Sequence, residues 1–324
     1  LFRKLGVVGK SPRGIRALKF SPKQATTKVI DIQVQIGRTG AVTPVAHLEP
    51  VEVAGVTITR ATLHNEDEIK RLGVKIGDTV IVGRAGDVIP DVIKVLPELR
   101  TGKEEKFVFP KTCPSCLVKL SKPLGEVVWR CLNKNCPARK RENFYHFTSK
   151  KAFDIDGLGP KIIDQLMDNN LISQVSDIFE LKEGDLLPLE RFAEKSAQNL
   201  IESIQKSKEI SFSRFIFSLG IRHVGEETAV ALSNYFSGIA QLKNASKEEL
   251  RKISDVGEKV SESIAYWFRS EQNLKLIKGL VGAGIKIALP EKISRKLAGK
   301  KFVLTGELET MARDEAKEKI RFLC

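Results

Sequence analysis

The sequence predicts a multidomain chain: an all-β barrel, a small four-cysteine ribbon, an all-α repeat domain and the opening of an α/β domain. Three observations carry this. Short β-branched runs fill the first third of the chain, two closely spaced cysteine pairs follow, and the second half repeats a helix, hairpin, helix unit with a period of about 32 to 34 residues. With 324 residues the chain is long enough for two or three cores, so modules in series are the expected layout.

Charge narrows the partner. Lys and Arg number 54 against 40 Asp and Glu, a formal net charge of +14, and a surplus of that size favours a polyanion, nucleic acid first. No apolar run approaches the roughly 18 to 20 residues of a spanning helix, and no amino-terminal apolar core resembles a signal peptide, so no membrane partner is expected. Four of the five cysteines fall in the ribbon and the fifth is Cys324, which leaves no disulfide framework and points to a reducing cytoplasm. Leu1 opens the chain without a methionine, and Cys324 closes it inside a helical pattern, Arg313 to Leu323, so it reads as a piece of a longer protein.

After a short basic lead, residues 25–105 read as strands. Val29 to Ile36 alternates as a half-buried strand, and Gly37-Arg38-Thr39-Gly40 turns the chain. Val51 to Thr59, interrupted by Gly55, then Thr79 to Gly83 and Val88 to Val95 complete about five strands around one helix near Asn65 to Arg71. This is the pattern of an oligonucleotide-binding (OB) barrel. Arg38, Arg60 and Arg84 lie where a strand face or a loop meets phosphate; the alternative for each is a solvated surface arginine.

Residues 106–138 form the ribbon. Cys113-Pro114-Ser115-Cys116 and Cys131-Leu132-Asn133-Lys134-Asn135-Cys136 are two tight knuckles whose thiolates close a tetrahedral shell around Zn²⁺. The site is expected to be structural, because a catalytic zinc keeps one position for water and uses His or carboxylate ligands, and no His lies between the knuckles. The alternatives are four buried thiols or a redox pair. Val127 to Arg130 reads as a β-hairpin arm, with Trp129 packing over the ribbon in preference to stacking on a base.

Residues 139–288 turn helical and repetitive. Asp156-Gly157-Leu158-Gly159 precedes the helix Lys161 to Met167; Arg191-Phe192-Ala193-Glu194 precedes Lys195 to Ile204; His223-Val224-Gly225-Glu226 precedes Thr228 to Tyr235; Asp255-Val256-Gly257-Glu258 precedes Lys259 to Phe268. Each unit matches the helix-hairpin-helix DNA-binding motif. Glycine lets the hairpin backbone approach a duplex, and the amides opening the second helix cradle a phosphate without regard to base sequence. Gly157, Gly159, Gly225 and Gly257 are the candidate contacts, whereas the second unit carries Ala193; the alternative reading is ordinary helix C-caps. Ile287 to Arg295 reads as a linker, and within residues 295–324 Leu297 to Gly306 gives a turn, a buried strand and a second turn before a helix near Ala312.

Taken in order, these stretches resemble the bacterial NAD-dependent DNA ligases over essentially the whole chain. The resemblance rests on Ala17-Leu18-Lys19-Phe20, Gly37 to Gly40, Leu48-Glu49-Pro50-Val51, Ala61-Thr62-Leu63-His64-Asn65, Arg84 to Pro90, the four cysteines, the four hairpins and Leu304-Thr305-Gly306 as the start of a BRCT domain. It implies that residues 1–24 end an adenylation domain. It also implies nick sealing through lysyl-AMP and DNA-adenylate intermediates, with NAD, Zn²⁺ and Mg²⁺ (or Mn²⁺), in DNA replication and repair of DNA damage. The partner it implies is nicked double-stranded DNA, and the enzyme a monomer. Lys19 matches the family's last pocket lysine, on the adenylate phosphate, and Arg38 a loop that touches DNA or nucleotide.

Two departures stand beside the resemblance. No Lys-x-Asp-Gly nucleophile motif is present, so no catalytic residue is assigned in this chain, and Gly14 stands where the family often has tryptophan. The competing reading is a non-enzymatic DNA-binding repair scaffold, which would not need Lys19.

Overall fold

The computed structural model describes residues 7–8, 11–12, 24–85, 89–123, 125–289, 300, 302–304, 310–311, 316 and 319–320. Two short strands, β1 (Val7–Val8) and β2 (Ser11–Pro12), pair antiparallel ahead of the barrel. The barrel is organised by β3 (Gln24–Ile36), a strand long enough to serve two neighbours. Its first half pairs with β6 (Thr79–Ala85) and its second with β4 (Val42–Val53). β4 pairs with β5 (Val56–Thr62) and β6 with β7 (Ile89–Val95); a parallel pairing of Thr62 with Asp91 closes the order β3-β4-β5-β7-β6.

A bulge changes the phase of β3. Strict alternation would place Ile30, Ile32, Val34 and Ile36 on one face. The register instead shifts between Val29 and Asp31, so that Val29 and Ile32 are buried and Ile30 is left 56% exposed. The single interrupted strand expected from Val51 to Thr59 is a hairpin: β4 ends at Val53, Ala54 and Gly55 turn at φ 54° and 76°, and β5 begins at Val56. Most of β4 escapes sequence reading because Pro44 and Pro50 argue against a strand, yet Val42, Pro44, Ala46 and Leu48 alternate into the core.

One helix, α1 (Glu66–Leu72), packs on the barrel core through the buried Ile69. The Asn65 side chain caps it by accepting from the Glu68 amide at 2.9 Å, and Gly73, at φ 62°, ends it. Asp78 is fully buried and accepts from Arg100 Nε and Nη2 at 2.7 and 2.8 Å and from the Lys75 amide at 2.7 Å. That fork ties the segment after β7 back to the entrance of β6.

The chain divides into two compact units, residues 1–139 and 140–324. The division falls in the first turn of α2 (Pro137–Thr148). Then follow α3 (Pro160–Asp168), α4 (Glu183–Leu186), α5 (Glu194–Lys206), β8 (Glu209–Ser211), α6 (Phe212–Ser218), α7 (Glu226–Tyr235), α8 (Ile239–Asn244), α9 (Lys247–Arg251), α10 (Glu258–Phe268), α11 (Glu271–Gly282) and β9 (Lys286–Ala288). They share one core, in which Ile163, Leu166, Ile204, Phe212, Phe215 and Leu232 are fully buried and Phe147 stacks on Phe153 at 4.2 Å.

Two expectations change here. Ile287 and Ala288 are not linker: they pair in parallel with Ile210 and Ser211, because the end of α11 brings β9 alongside β8. In the tail, Phe302 and Val303 are 44% and 85% exposed, and of the expected strand only residues 300 and 302–304 are described, none of them in a strand. Thr305 and Gly306 lie outside the described residues, and of the expected final helix only residues 316, 319 and 320 are described, all helical.

Candidate functional site

Four cysteines converge in the first unit. Their Sγ atoms all lie within 4.8 Å of one another, with Cys113 to Cys136 at 3.8 Å and Cys116 to Cys131 at 3.5 Å. Sulfurs bound at about 2.3 Å on a tetrahedron stand roughly 3.8 Å apart, so this quartet is already shaped for Zn²⁺. Cys113, Cys131 and Cys136 are fully buried and Cys116 partly so; no His or carboxylate joins them among the described residues, which suits a closed structural site. Burial pushes the Cys113 thiol up and the Cys131 thiol to about 12. At Cys116 burial is outweighed by the Val118 amide, the Asn133 side chain and the neighbouring sulfurs, which bring it down to about 6. Cys136 immediately precedes α2, so the second knuckle runs directly into that helix.

The ribbon is fastened to the barrel. Trp129 does pack: its ring lies over Phe109 at 6.3 Å and its Nε1–H donates to Glu66 Oε2 at 2.8 Å. The expected hairpin arm Val127 to Arg130 is reduced to isolated bridges, Arg130 pairing with both Ser121 and Ala41, because its backbone serves two sides at once. Arg38 lies half-buried in the Gly37 to Gly40 turn, and its carbonyl accepts a long bond from Arg139 Nε at 3.5 Å. Arg60 is exposed on β5, opposite His47. The backbone of Arg84 is paired with Pro90 in β6, while its side chain and the whole of Lys19 lie outside the described residues.

In the second unit the four hairpins share one hydrogen-bond pattern. The amides of Leu158, Phe192, Val224 and Val256 donate to the carbonyls of Ile155, Leu189, Ile221 and Ile253 at 3.1 to 3.3 Å. The next residue, Gly159, Ala193, Gly225 or Gly257, is the extended N-cap of α3, α5, α7 or α10. These glycines are therefore N-caps, and the C-cap alternative is set aside. The left-handed position comes two residues earlier, at Gly157, Arg191, His223 and Asp255, with φ from 64° to 80°. Sequence reading missed that position, since only the first unit marks it with glycine.

Gly159, Gly225 and Gly257 thus need no glycine for their backbone conformation. A Cβ built at any of the three meets nothing within 4 Å, so packing within the chain does not demand glycine either. The space in front of each cap is open to an outside partner. Charge distinguishes the units: α3 has no acidic residue in its first turn, whereas α5 opens with Glu194, α7 with Glu226 and Glu227, and α10 with Glu258. Glu226 is partnered by Lys151 at 2.9 Å and Glu258 by Arg251 at 3.2 Å, which offsets part of that charge. No described helix is long and apolar enough to cross a membrane.

Comparison with known proteins follows the same divisions. Models of the NAD-dependent DNA ligase OB-fold domain and of the NAD-dependent DNA ligase C4 zinc finger domain match residues 26–104 and 112–138. A SAM-like helix-hairpin-helix tandem matches residues 150–206, and a helix-hairpin-helix motif matches 214–277. The chain is 47% identical to a DNA ligase of Desulfosudis oleivorans, 49% to one of Pelotomaculum thermopropionicum and 45% to one of Bacillus subtilis. These alignments cover 98%, 99% and 98% of this chain and 48%, 48% and 49% of those proteins. The chain spans about half the length of the curated relatives it matches.

Proposed function

Because the chain belongs to the NAD-dependent DNA ligase family, we propose that it is the part of such an enzyme that grips duplex DNA around a nick, while the rest of the protein supplies the adenylylating lysine. The observation that carries this reading is the set of glycine N-caps at 159, 225 and 257, alike in geometry and each facing open space. Amides at such helix starts hold phosphate oxygens at any base sequence, which is what an enzyme acting on nicks anywhere in a genome requires. The barrel adds Arg38 and Arg84 to the contact, and the zinc ribbon, held by Cys113, Cys116, Cys131 and Cys136, braces the barrel.

In the parent enzyme the reaction seals a 3′-hydroxyl to a 5′-phosphate through adenylated intermediates, with NAD as adenylate donor and Mg²⁺ (or Mn²⁺) on the phosphates. Lys19 then places a cation on the adenylate phosphate. The enzyme works as a monomer in the cytoplasm, in replication and in repair of DNA damage. Incubating this chain with NAD labelled in its adenylate tests the division of labour. The chain stays unlabelled while binding nicked duplex, and joining it to the adenylation domain of a related ligase restores sealing. Labelled protein would reveal a nucleophile in this chain and end the reading, and full-rate sealing by a Lys19→Ala enzyme would remove the role given to Lys19.

A further inference from the structure

We propose that the barrel turn Gly37 to Gly40 is the outer wall of the metal centre, with Gly40, Arg130 and Arg139 as positioning residues that hold the Cys131 knuckle in its ligating shape. The loaded centre in return fixes the turn that carries Arg38. The proposal goes beyond the DNA reading and does not depend on it.

The peptide of Cys131 is gripped from both sides by groups outside its own knuckle. Its N–H donates to the Gly40 carbonyl at 2.8 Å, and its carbonyl accepts from Arg139 Nη1 at 3.2 Å. The same guanidinium spans to the Asn133 carbonyl at 3.0 Å and, through Nε, to the Arg38 carbonyl at 3.5 Å, so one planar group joins the knuckle to the barrel turn. Arg139 follows Cys136 by three residues in α2, which ties it to a second ligand. Arg130 completes the seam: Nη1 donates to Thr39 Oγ1 at 3.2 Å while Nε is held by Glu126 at 2.6 Å, and the side chain is 12% exposed.

Gly40 is the residue that lets this wall close. It sits at φ 78°, and a Cβ there would lie 2.2 Å from the Cys131 carbonyl oxygen and 3.2 Å from its carbon. Both contacts are with backbone, which has no rotamer to escape into. An alanine at this position must push the barrel turn and the ligand-bearing segment apart. Groups that orient metal ligands from outside the coordination shell commonly change metal affinity by about ten- to a hundredfold when lost.

Zinc release from the intact, zinc-loaded chain to a chromophoric chelator, without DNA, tests the proposal. Gly40→Ala and Arg139→Ala lose zinc at least about tenfold faster than wild type, and Arg139→Lys, which retains a single donor head, falls between. Gly55→Ala is the control. Gly55 has nearly the same backbone angle, φ 76°, in the turn between β4 and β5, yet a Cβ there meets nothing within 4 Å. It therefore carries the strain of a left-handed alanine without the clash and releases zinc at the wild-type rate. Equal rates from Gly40→Ala and Gly55→Ala would attribute the effect to backbone strain and overturn the proposal. Wild-type retention by Arg139→Ala would do the same, and that variant decides the matter if Gly40→Ala fails to fold.

Discussion

Replacing the N-cap glycines by valine separates a role in contact from a role in folding. At Gly225 the backbone is extended, φ −91° and ψ −176°, which valine adopts without strain, and a Cβ meets nothing within 4 Å. The folding cost is then that of a poorer N-cap, about 0.5 to 1 kcal/mol. In a unit of this size that lowers the melting temperature by about 1 to 4 °C. The cost to binding is larger. An isopropyl group at the cap holds a phosphate away from the amides behind it, and a hydrogen bond to a charged group is worth about 1.5 to 3 kcal/mol, so affinity for nicked duplex falls about ten- to a hundredfold per hairpin. Ala193→Val is the internal reference, because the second hairpin already carries a side chain at its cap, and its affinity changes less than about threefold. Fluorescence anisotropy on a labelled nicked duplex at constant salt, with melting curves alongside, reads both quantities. Wild-type affinity in Gly159→Val, Gly225→Val and Gly257→Val together would mean that the open caps are not contacts.

Other perturbations address the supports of the site. Cys131→Ser removes a fully buried ligand, and elemental analysis is expected to find zinc lost from the protein along with the folded ribbon; full zinc occupancy in that variant would exclude Cys131 as a ligand. Arg100→Ala strands the fully buried Asp78 carboxylate and lowers the barrel's stability in thermal or urea unfolding, whereas Asp78→Ala costs less because Arg100, 26% exposed, reaches water. The reverse order would contradict the burial argument. Glu66 is held below its ordinary value of 4.5 by the Lys70 ammonium and the Trp129 indole N–H. Its contribution is therefore fully present above about pH 4.5 and lost as pH falls through the lower folded value, so the melting advantage of wild type over Glu66→Gln shrinks in acid. A difference that does not change with pH would show that the carboxylate charge plays no part in fastening ribbon to barrel.

Much of this architecture is legible in the residues, and the gaps have physical causes. Cysteine pairs announce a metal site because few other uses of cysteine have that spacing, and the closely grouped sulfurs follow from it. The repeat of the hairpins is visible because each buries the same turn residues, Ile155, Leu189, Ile221 and Ile253. What the sequence hides are features set by partners distant in the chain. The bulge at Ile30 depends on β3 serving two neighbours, and β9 exists only because β8 lies beside it. Gly40 reads as a turn glycine, whereas its strongest constraint is a carbonyl at Cys131. Arg130 and Arg139 look like surface cations until their bonds to Thr39, Arg38 and Asn133 are seen. The left-handed hairpin residues Arg191, His223 and Asp255 carry a weaker signal: each lies two residues before its cap, where the first unit has Gly157.

The most direct measurement is a titration of this chain against a nicked duplex, and against single strands of the same length, over a range of salt concentrations. With glycine-capped helix starts and a net charge of +14, the chain is expected to bind the duplex more tightly than either strand. The logarithm of its affinity should fall linearly with the logarithm of salt, at a slope of about −0.9 for each phosphate neutralised. Preference for the single strand, or duplex affinity that does not respond to salt, would contradict the account.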